Sequence, residues 1–400
     1  MGNLILPILT GKLNQRSGKG LHLPVGTPPS SFASLRKQLS SPALLATLLL
    51  IVLLPLGAQT TSKTEAFKLI HSDKLFLNRL NNEQVLELSG KVHFWYGKTE
   101  FKSDRAMIFD TQKIARLSGR VSVVNDSLGL KADSVAYYRS TEDLNLGGKV
   151  QITESRKTGS LRWFKSEYAI YNRKADKLTV WKDVSAWDKD ENAWAECGYA
   201  YWDRKAGYAY MIENPRLRSG VADTLFIKAD KIEFFDAERK IVATFNAEVK
   251  SQDYLVNSDF LIYMINEEKA VFTGRPSFLS DYAKASANEF YLYLKERKLQ
   301  RAELQDSCRV SFSEERGGIQ DNWVTAGFIS IGFREEAIKE FTAEDEVVYY
   351  YAQAARDKRD PFVNTARGYF LEAKFNDDNK LELMRMARGV KGSYKFQNNP

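Results

Sequence analysis

In the stretch LSGRVSVVNDSLGLKADSVAY, Leu117 to Tyr137, apolar and polar residues alternate, pass through Asn125-Asp126-Ser127, and alternate again. Period-two alternation marks a half-buried strand, and a polar cluster between two such runs marks a hairpin tip. The second run changes phase. Leu130 and Ala132 fall on even positions, whereas Val135 and Tyr137, beyond Asp133, fall on odd ones. A one-residue slip is what a β-bulge or corner produces. The same slip separates Phe101 and Ser103 from Ala106 and Ile108, and Ile227 and Ala229 from Ile232 and Phe234. Asp, Asn and Gly fill most slip positions, so a positive φ is expected there.

Outward from this stretch the pattern repeats. A small residue followed by an acid occurs at Ser72-Asp73, Ser103-Asp104, Ala132-Asp133, Ser166-Glu167, Ala229-Asp230 and Ser258-Asp259. Weaker copies are Cys197-Gly198, Ala287-Asn288 and Ala326-Gly327, and successive copies lie 29 to 39 residues apart. A second signature falls midway, with Gly90, Gly119, Gly148 and Gly274 at its centre: Leu88–Val92, Leu117–Val121, Leu146–Val150, Phe245–Val249 and Phe272–Pro276. Copies near Trp181–Arg218 lack the Gly, with Lys182 in its slot. A fixed period of this length is the mark of a repeat architecture. Polar tips at 110–113, 172–176 and 236–240 separate the signatures.

Each unit of about thirty residues therefore reads as two long strands joined by a tip, each bent once, with small side chains where two faces converge. About nine units stacked antiparallel make an all-β, two-sheet trough on the order of 85 Å long, at about 4.8 Å per strand. The apolar face would comprise Val92, Phe94, Val121, Val123, Leu130, Val135, Tyr137, Val150, Ile152, Ile232, Phe234, Leu261 and Tyr263. Charges would cover the outside. The repeats are expected over 59–345, with an irregular final repeat or edge cap over 346–400.

Residues 1–58 contain no Asp or Glu. Arg36 and Lys37 precede an apolar run from Ala43 to Leu56, and Leu56-Gly57-Ala58 resembles a small-residue cleavage site. This is the layout of a signal peptide behind an extended leader, the alternative being an uncleaved N-terminal anchor. The whole chain carries 58 basic and 51 acidic side chains, and five of the basic ones lie in the leader. What remains is nearly balanced and has no basic stripe, which argues against nucleic-acid binding.

The chemistry-bearing residues are sparse. Beyond the leader, His71 and His93 sit in different strands with no Cys or acid cluster beside them. No Gly-rich phosphate loop and no nucleophile elbow occur. Cys197 and Cys308 lie several units apart, on the order of 35 Å at two strands per unit, and are expected as free thiols. The recurring Asp73, Asp104, Asp133, Asp230 and Asp259 invite comparison with a calcium-binding column. Gly198 and Gly327 interrupt it, so corner capping is the preferred role.

The small-acid corner, the charged tip and the Gly-Lys/Arg-Val signature together resemble the OstA-like (LptA-type) family, from about Leu69 to Phe333. The resemblance implies a twisted jelly-roll trough, the β-taco, that shields lipopolysaccharide acyl chains in the periplasm. It implies partners among the inner- and outer-membrane transport components, end-to-end self-association into a bridge, no cofactor and no catalytic group. Two other readings remain open. One is a structural or receptor module docking on an outer-membrane protein. The other is a polysaccharide-acting enzyme on a parallel β-helix, which the paired signatures and hairpin tips disfavour.

Overall fold

The computed structural model describes residues 66–396, apart from 81, 156–160, 190–191, 221–224, 252–253, 282, 296–297, 314–321, 335–336, 354–360 and 377–380. The expected leader and signal peptide lie outside the described residues. Among those described, all regular structure is β: twenty-six strands in one sheet, every pairing antiparallel. Strand Ala337–Gln353 runs across residues 345 and 346, and pairing continues to Phe396.

Most strands are bent, and the bend folds the sheet onto itself. Strands Thr99–Phe109, Ile114–Asn125 and Leu128–Tyr138 put Phe101, Val123 and Leu130 in one register row. Tyr137 lies seven residues further along, about 23 Å away in a straight strand at roughly 3.3 Å per residue. Yet the Phe101 and Tyr137 rings are 5.5 Å apart. Only two arms facing one another across a shared interior meet both facts. Sharper bends interrupt the strand. Tyr208–Ile212 and Arg216–Ser219 are two arms of one such strand, both paired with Ala193–Asp203. The fold is thus an antiparallel two-sheet trough, as the phase slips require.

The corner has a defined construction. Ser118 pairs with Ser134 and Val121 with Ala132, so Gly119 and Arg120 together oppose Asp133 alone. The extra residue lies on the glycine strand. Buried positions there are four apart across the bend, Leu117 to Val121, and three apart on the acid strand, Ala132 to Val135. Side chains on both strands therefore return to the interior after the bend.

The positive φ angles fall on the glycine strand, not on the acid where they were expected: Gly90-Lys91, Gly119-Arg120 and Gly148-Lys149 are left-handed pairs, and none of Asp73, Asp104, Asp133, Asp230 and Asp259 is. The strand that carries the extra residue must absorb the backbone turn. The pair persists where Gly is lost, at Lys182-Asp183, Glu213-Asn214, Phe245-Asn246, Asp306-Ser307 and Asp345-Glu346. Glycine is an aid to this corner rather than its cause.

Glycine has a second reason at Gly119. A Cβ there would stand 2.9 Å from the Asp104 Cβ, because the acid of the neighbouring strand lies over the glycine. The small side chain makes room for an acid, a narrower cause than the convergence of two faces. Gly90, Gly148 and Gly274 are covered in the same way by Asp73, Asp133 and Asp259. The small residue before the acid acts too: the Ser103, Ser166 and Ser258 hydroxyls donate to the carbonyls of Arg105, Tyr168 and Phe260, across the bend.

Candidate functional site: the interior between the sheets

The apolar side chains form one cluster from Leu88 to Ala373. Val92, Phe94, Val121, Val123, Leu130, Val135, Tyr137, Val150, Ile152, Ile232, Phe234 and Leu261 are all buried in it, and Tyr263 packs against it half-buried. The interior is filled by its own residues. A cavity of about 30 Å³, lined by Phe164, Cys197, Trp202 and Met211 among others, lies within it. The outside is less uniformly charged than expected. Tyr168, Trp181 and Tyr199 form an outward row across three strands, with the Lys182 ammonium 5.6 Å from the Tyr168 ring centre.

Polar residues close part of the mouth, where the hairpin tips of the two sheets face each other. Arg139, Arg173 and Arg204 each begin a tip, and each donates its backbone N–H to the last residue of the preceding tip, Lys113, Glu142 and Asp176. This places three guanidinium groups in equivalent positions. The Arg173 Nε donates to Glu142 Oε2 at 2.7 Å, and its Nη1 reaches across the mouth to Thr99 Oγ1. Arg204 donates to Asp176 on its own lip at 2.9 Å and to Glu154 on the facing lip at 2.7 Å. Glu154 also lies 3.4 Å from Arg162, whose Nε donates to Asp188 Oδ2 at 3.1 Å. The Arg162 side chain is 0% exposed and that of Asp188 1%. A pair buried this far is costly to break, because removing one partner strands a charge, at about 3–5 kcal/mol. Burial also pushes the Tyr171 hydroxyl, which donates to Asp176, up to about 12.

None of these mouth residues was singled out in the sequence. A signal was available: Arg139, Arg173 and Arg204 recur with the spacing of the corners and follow directly on the strand ends. The corner acids, by contrast, stay at the bends. Asp104 holds Arg120 at 2.6 Å, and that guanidinium keeps its carboxyl below the usual range. Where Gly198 and Gly327 replace the acid, a carboxylate arrives from the other strand, since Glu213 covers Gly198 and Asp345 covers Gly327. The apparent interruption of the acid column is an exchange of places. Among the described residues no group of three His, Cys, Asp or Glu side chains has metal-binding geometry.

Cys197 and Cys308 are free and buried. Burial pushes their thiols up to about 12 and about 11. His71 lies 3.1 Å from Asp73, and His93 2.8 Å from Glu100.

The terminal strands are open. Lys74–Leu80 pairs only with Glu83–Tyr96, and Leu381–Ala387 and Lys391–Phe396 only with Phe362–Phe375, among the described residues. Both carry bare apolar side chains, with Leu77 64% and Phe396 66% exposed. Such edges are templates for another chain.

No family model matches the chain, and no curated protein does. Among solved structures it is similar to LptH, the LptA-homologous periplasmic component of the conserved lipopolysaccharide transport device from Pseudomonas aeruginosa. The identity is 14%, the match covers 42% of this chain and 76% of that one, and the TM-score is 0.13. The fold assignment rests on the strand pairings described above, not on this superposition.

Proposed function

We propose that the chain is a periplasmic lipid carrier, exported by its signal peptide, which shields lipopolysaccharide acyl chains between its sheets. It passes them from inner-membrane to outer-membrane transport components. The observation that carries the reading is the single apolar interior running from Leu88 to Ala373 between two sheets joined along the bends. The exposed terminal strands suit end-to-end pairing into a bridge. Burial of acyl groups gains roughly 0.8 kcal/mol per CH₂ in a bilayer, and an apolar interior offers about as much, so transfer is nearly neutral. The carrier then needs no catalytic group, hydrolyses nothing and relies on another component for direction.

The tightness of the interior favours a second reading, a structural or receptor module that docks on an outer-membrane protein. The two are separated by purifying the mature chain from a lipopolysaccharide-producing host and quantifying bound lipid by mass spectrometry, with uptake from vesicles as a second measure. A carrier retains or acquires lipopolysaccharide in stoichiometric amount. Neither retention nor uptake would leave the docking module as the reading.

A further inference from the structure

On the outer surface the repeat departs from its signature in three successive strands, and the three departures border one groove. Lys182 takes a glycine slot, Gly198 takes an acid slot, and Glu213 supplies the covering carboxylate from the next strand. With Thr179, Trp181 and Tyr199 they line a groove of about 530 Å³, within the span of small-ligand sites, about 300–1,000 Å³. Trp181 and Tyr199 are partners in register, yet each ring stacks on the side away from the other. Trp181 lies on Tyr168 at 5.7 Å, and Tyr199 on Tyr210 at 6.1 Å. The groove opens between the two rings, and Gly198 puts no side chain into it. Lys182 and Glu213 both line the groove without pairing with each other, and the Glu213 carboxylate has no hydrogen bond or ion pair among the described residues. It stands at the bend, where the neighbouring strands are all described.

We propose that this groove binds one neutral pyranose ring of a glycan chain, with its CH faces against Trp181 and Tyr199 and its hydroxyls on Glu213 and Lys182. The site lies on the outer surface, so it stands or falls independently of what the interior holds. The mixture of groups selects the occupant. A carboxylate only accepts hydrogen bonds and an ammonium only donates them. Hydroxyls do both, so the rim of a sugar ring satisfies each group. An acyl chain or an aromatic ring would strip water from Glu213 without replacing its hydrogen bonds. An anion would face Glu213 and a cation would face Lys182, like charge against like. A protein partner fits poorly too, since interface cores are depleted of charged residues. The two walls are suited to a weakly apolar ring, because Trp and Tyr present a large rigid surface at little loss of side-chain freedom, and here their stacking already holds them.

The test uses the mature full-length chain on an array of neutral, acidic and amino glycans, with vesicles of anionic phospholipid as a parallel probe. The strongest neutral ligand is then titrated by calorimetry. Neutral glycans should bind about tenfold or more tightly than their uronate or amino-sugar counterparts, a ratio equivalent to roughly 1.4 kcal/mol. Glu213→Gln keeps the shape of the groove, and Trp181→Ala removes one wall. With folding verified by circular dichroism, each should weaken binding about tenfold or more. Trp163 faces outward on the other side of the bend, against Trp187 and Trp194, and Trp163→Ala should leave the affinity unchanged. An array on which no neutral glycan binds refutes the inference. Acidic or amino glycans bound as tightly as neutral ones refute the charge argument that selects the occupant. Binding that survives both Glu213→Gln and Trp181→Ala places the glycan elsewhere and overturns the site. Capture of the vesicles alone makes the aromatic surface a membrane contact and overturns it as well.

Discussion

At the exchanged corner, Gly198→Asp restores the commoner residue at its own position and should nevertheless destabilise the chain. A Cβ at Gly198 would stand 2.6 Å from the Glu213 Cβ, an atom too close to the backbone to swing aside. The new carboxylate would also face the old one. Overpacking of this kind costs about 1–3 kcal/mol. Glu213→Gly alone should be nearly neutral. It removes a side chain held at a φ of 62°, worth about 1–2 kcal/mol, but adds unfolded-state freedom worth roughly 0.5–1 kcal/mol. Together the two substitutions rebuild an Asp-over-Gly corner like that of Asp104 and Gly119. Their coupling should be about 2 kcal/mol, within the range for residues in contact. In calorimetry at about 2 °C per kcal/mol, Gly198→Asp should lower the melting temperature by about 4 °C and the double variant should recover most of it. Because repeat arrays can melt in stages, the comparison applies to the transition that the single variant moves. A Gly198→Asp chain that melts with the wild type, or a double variant no better than the single, would refute the exchange of places.

Three further outcomes follow from the same geometry. Glu154→Gln leaves Arg162 and Arg204 short of a buried carboxylate and should cost about 3 kcal/mol, with faster hydrogen exchange along the strands Asp143–Ser155 and Leu161–Asn172; unchanged exchange there would contradict a stabilising role for the ion pairs at the mouth. Asp104, Glu100 and Asp110 are held below their ordinary pKa by Arg120, by Lys102 and His93, and by Lys113 and Arg139 respectively. Their contribution is complete above the unfolded carboxylate pKa of about 4 and is lost as pH falls through the depressed values. The melting temperature should therefore be flat above pH about 5 and fall below about 4, less steeply in Asp104→Asn. Cys197 and Cys308, with thiols pushed up to about 12 and about 11, should ignore a thiol reagent at pH 8 until denaturant is added; labelling of the folded chain would show that the interior opens readily.

The bend was legible in the sequence because it alters the parity of buried residues, and parity survives without structural knowledge. Leu130, Ala132, Val135 and Tyr137 suffice to place it. The left-handed pair was not legible. Residue preference pointed to Asp, whereas the strand bearing the extra residue is the one that must turn, and Lys182-Asp183 and Asp306-Ser307 do so without glycine. The interior was readable as a face but not as a filled space, since alternation reports which way a side chain points and not what it meets. The arginine–carboxylate pairs at the mouth escaped for a related reason. Arg162 and Asp188 stand on the inward face of strands otherwise apolar there, so the alternation that identified the core passed over them as exceptions.

The four-against-three spacing at each bend has a consequence for how such a chain can change in length. One glycine-type strand and one acid-type strand cancel each other's displacement, so the smallest insertion that leaves every later side chain facing correctly is the pair. Adding a single strand would set two corners of the same type side by side, with no acid to cover a glycine or no extra residue to oppose an acid. A lineage of these proteins would thus grow or shrink by whole increments of about 9.6 Å, like a ruler marked only in full divisions. The intervals between left-handed pairs, 29 residues in some places and up to 43 in others, vary without changing that division.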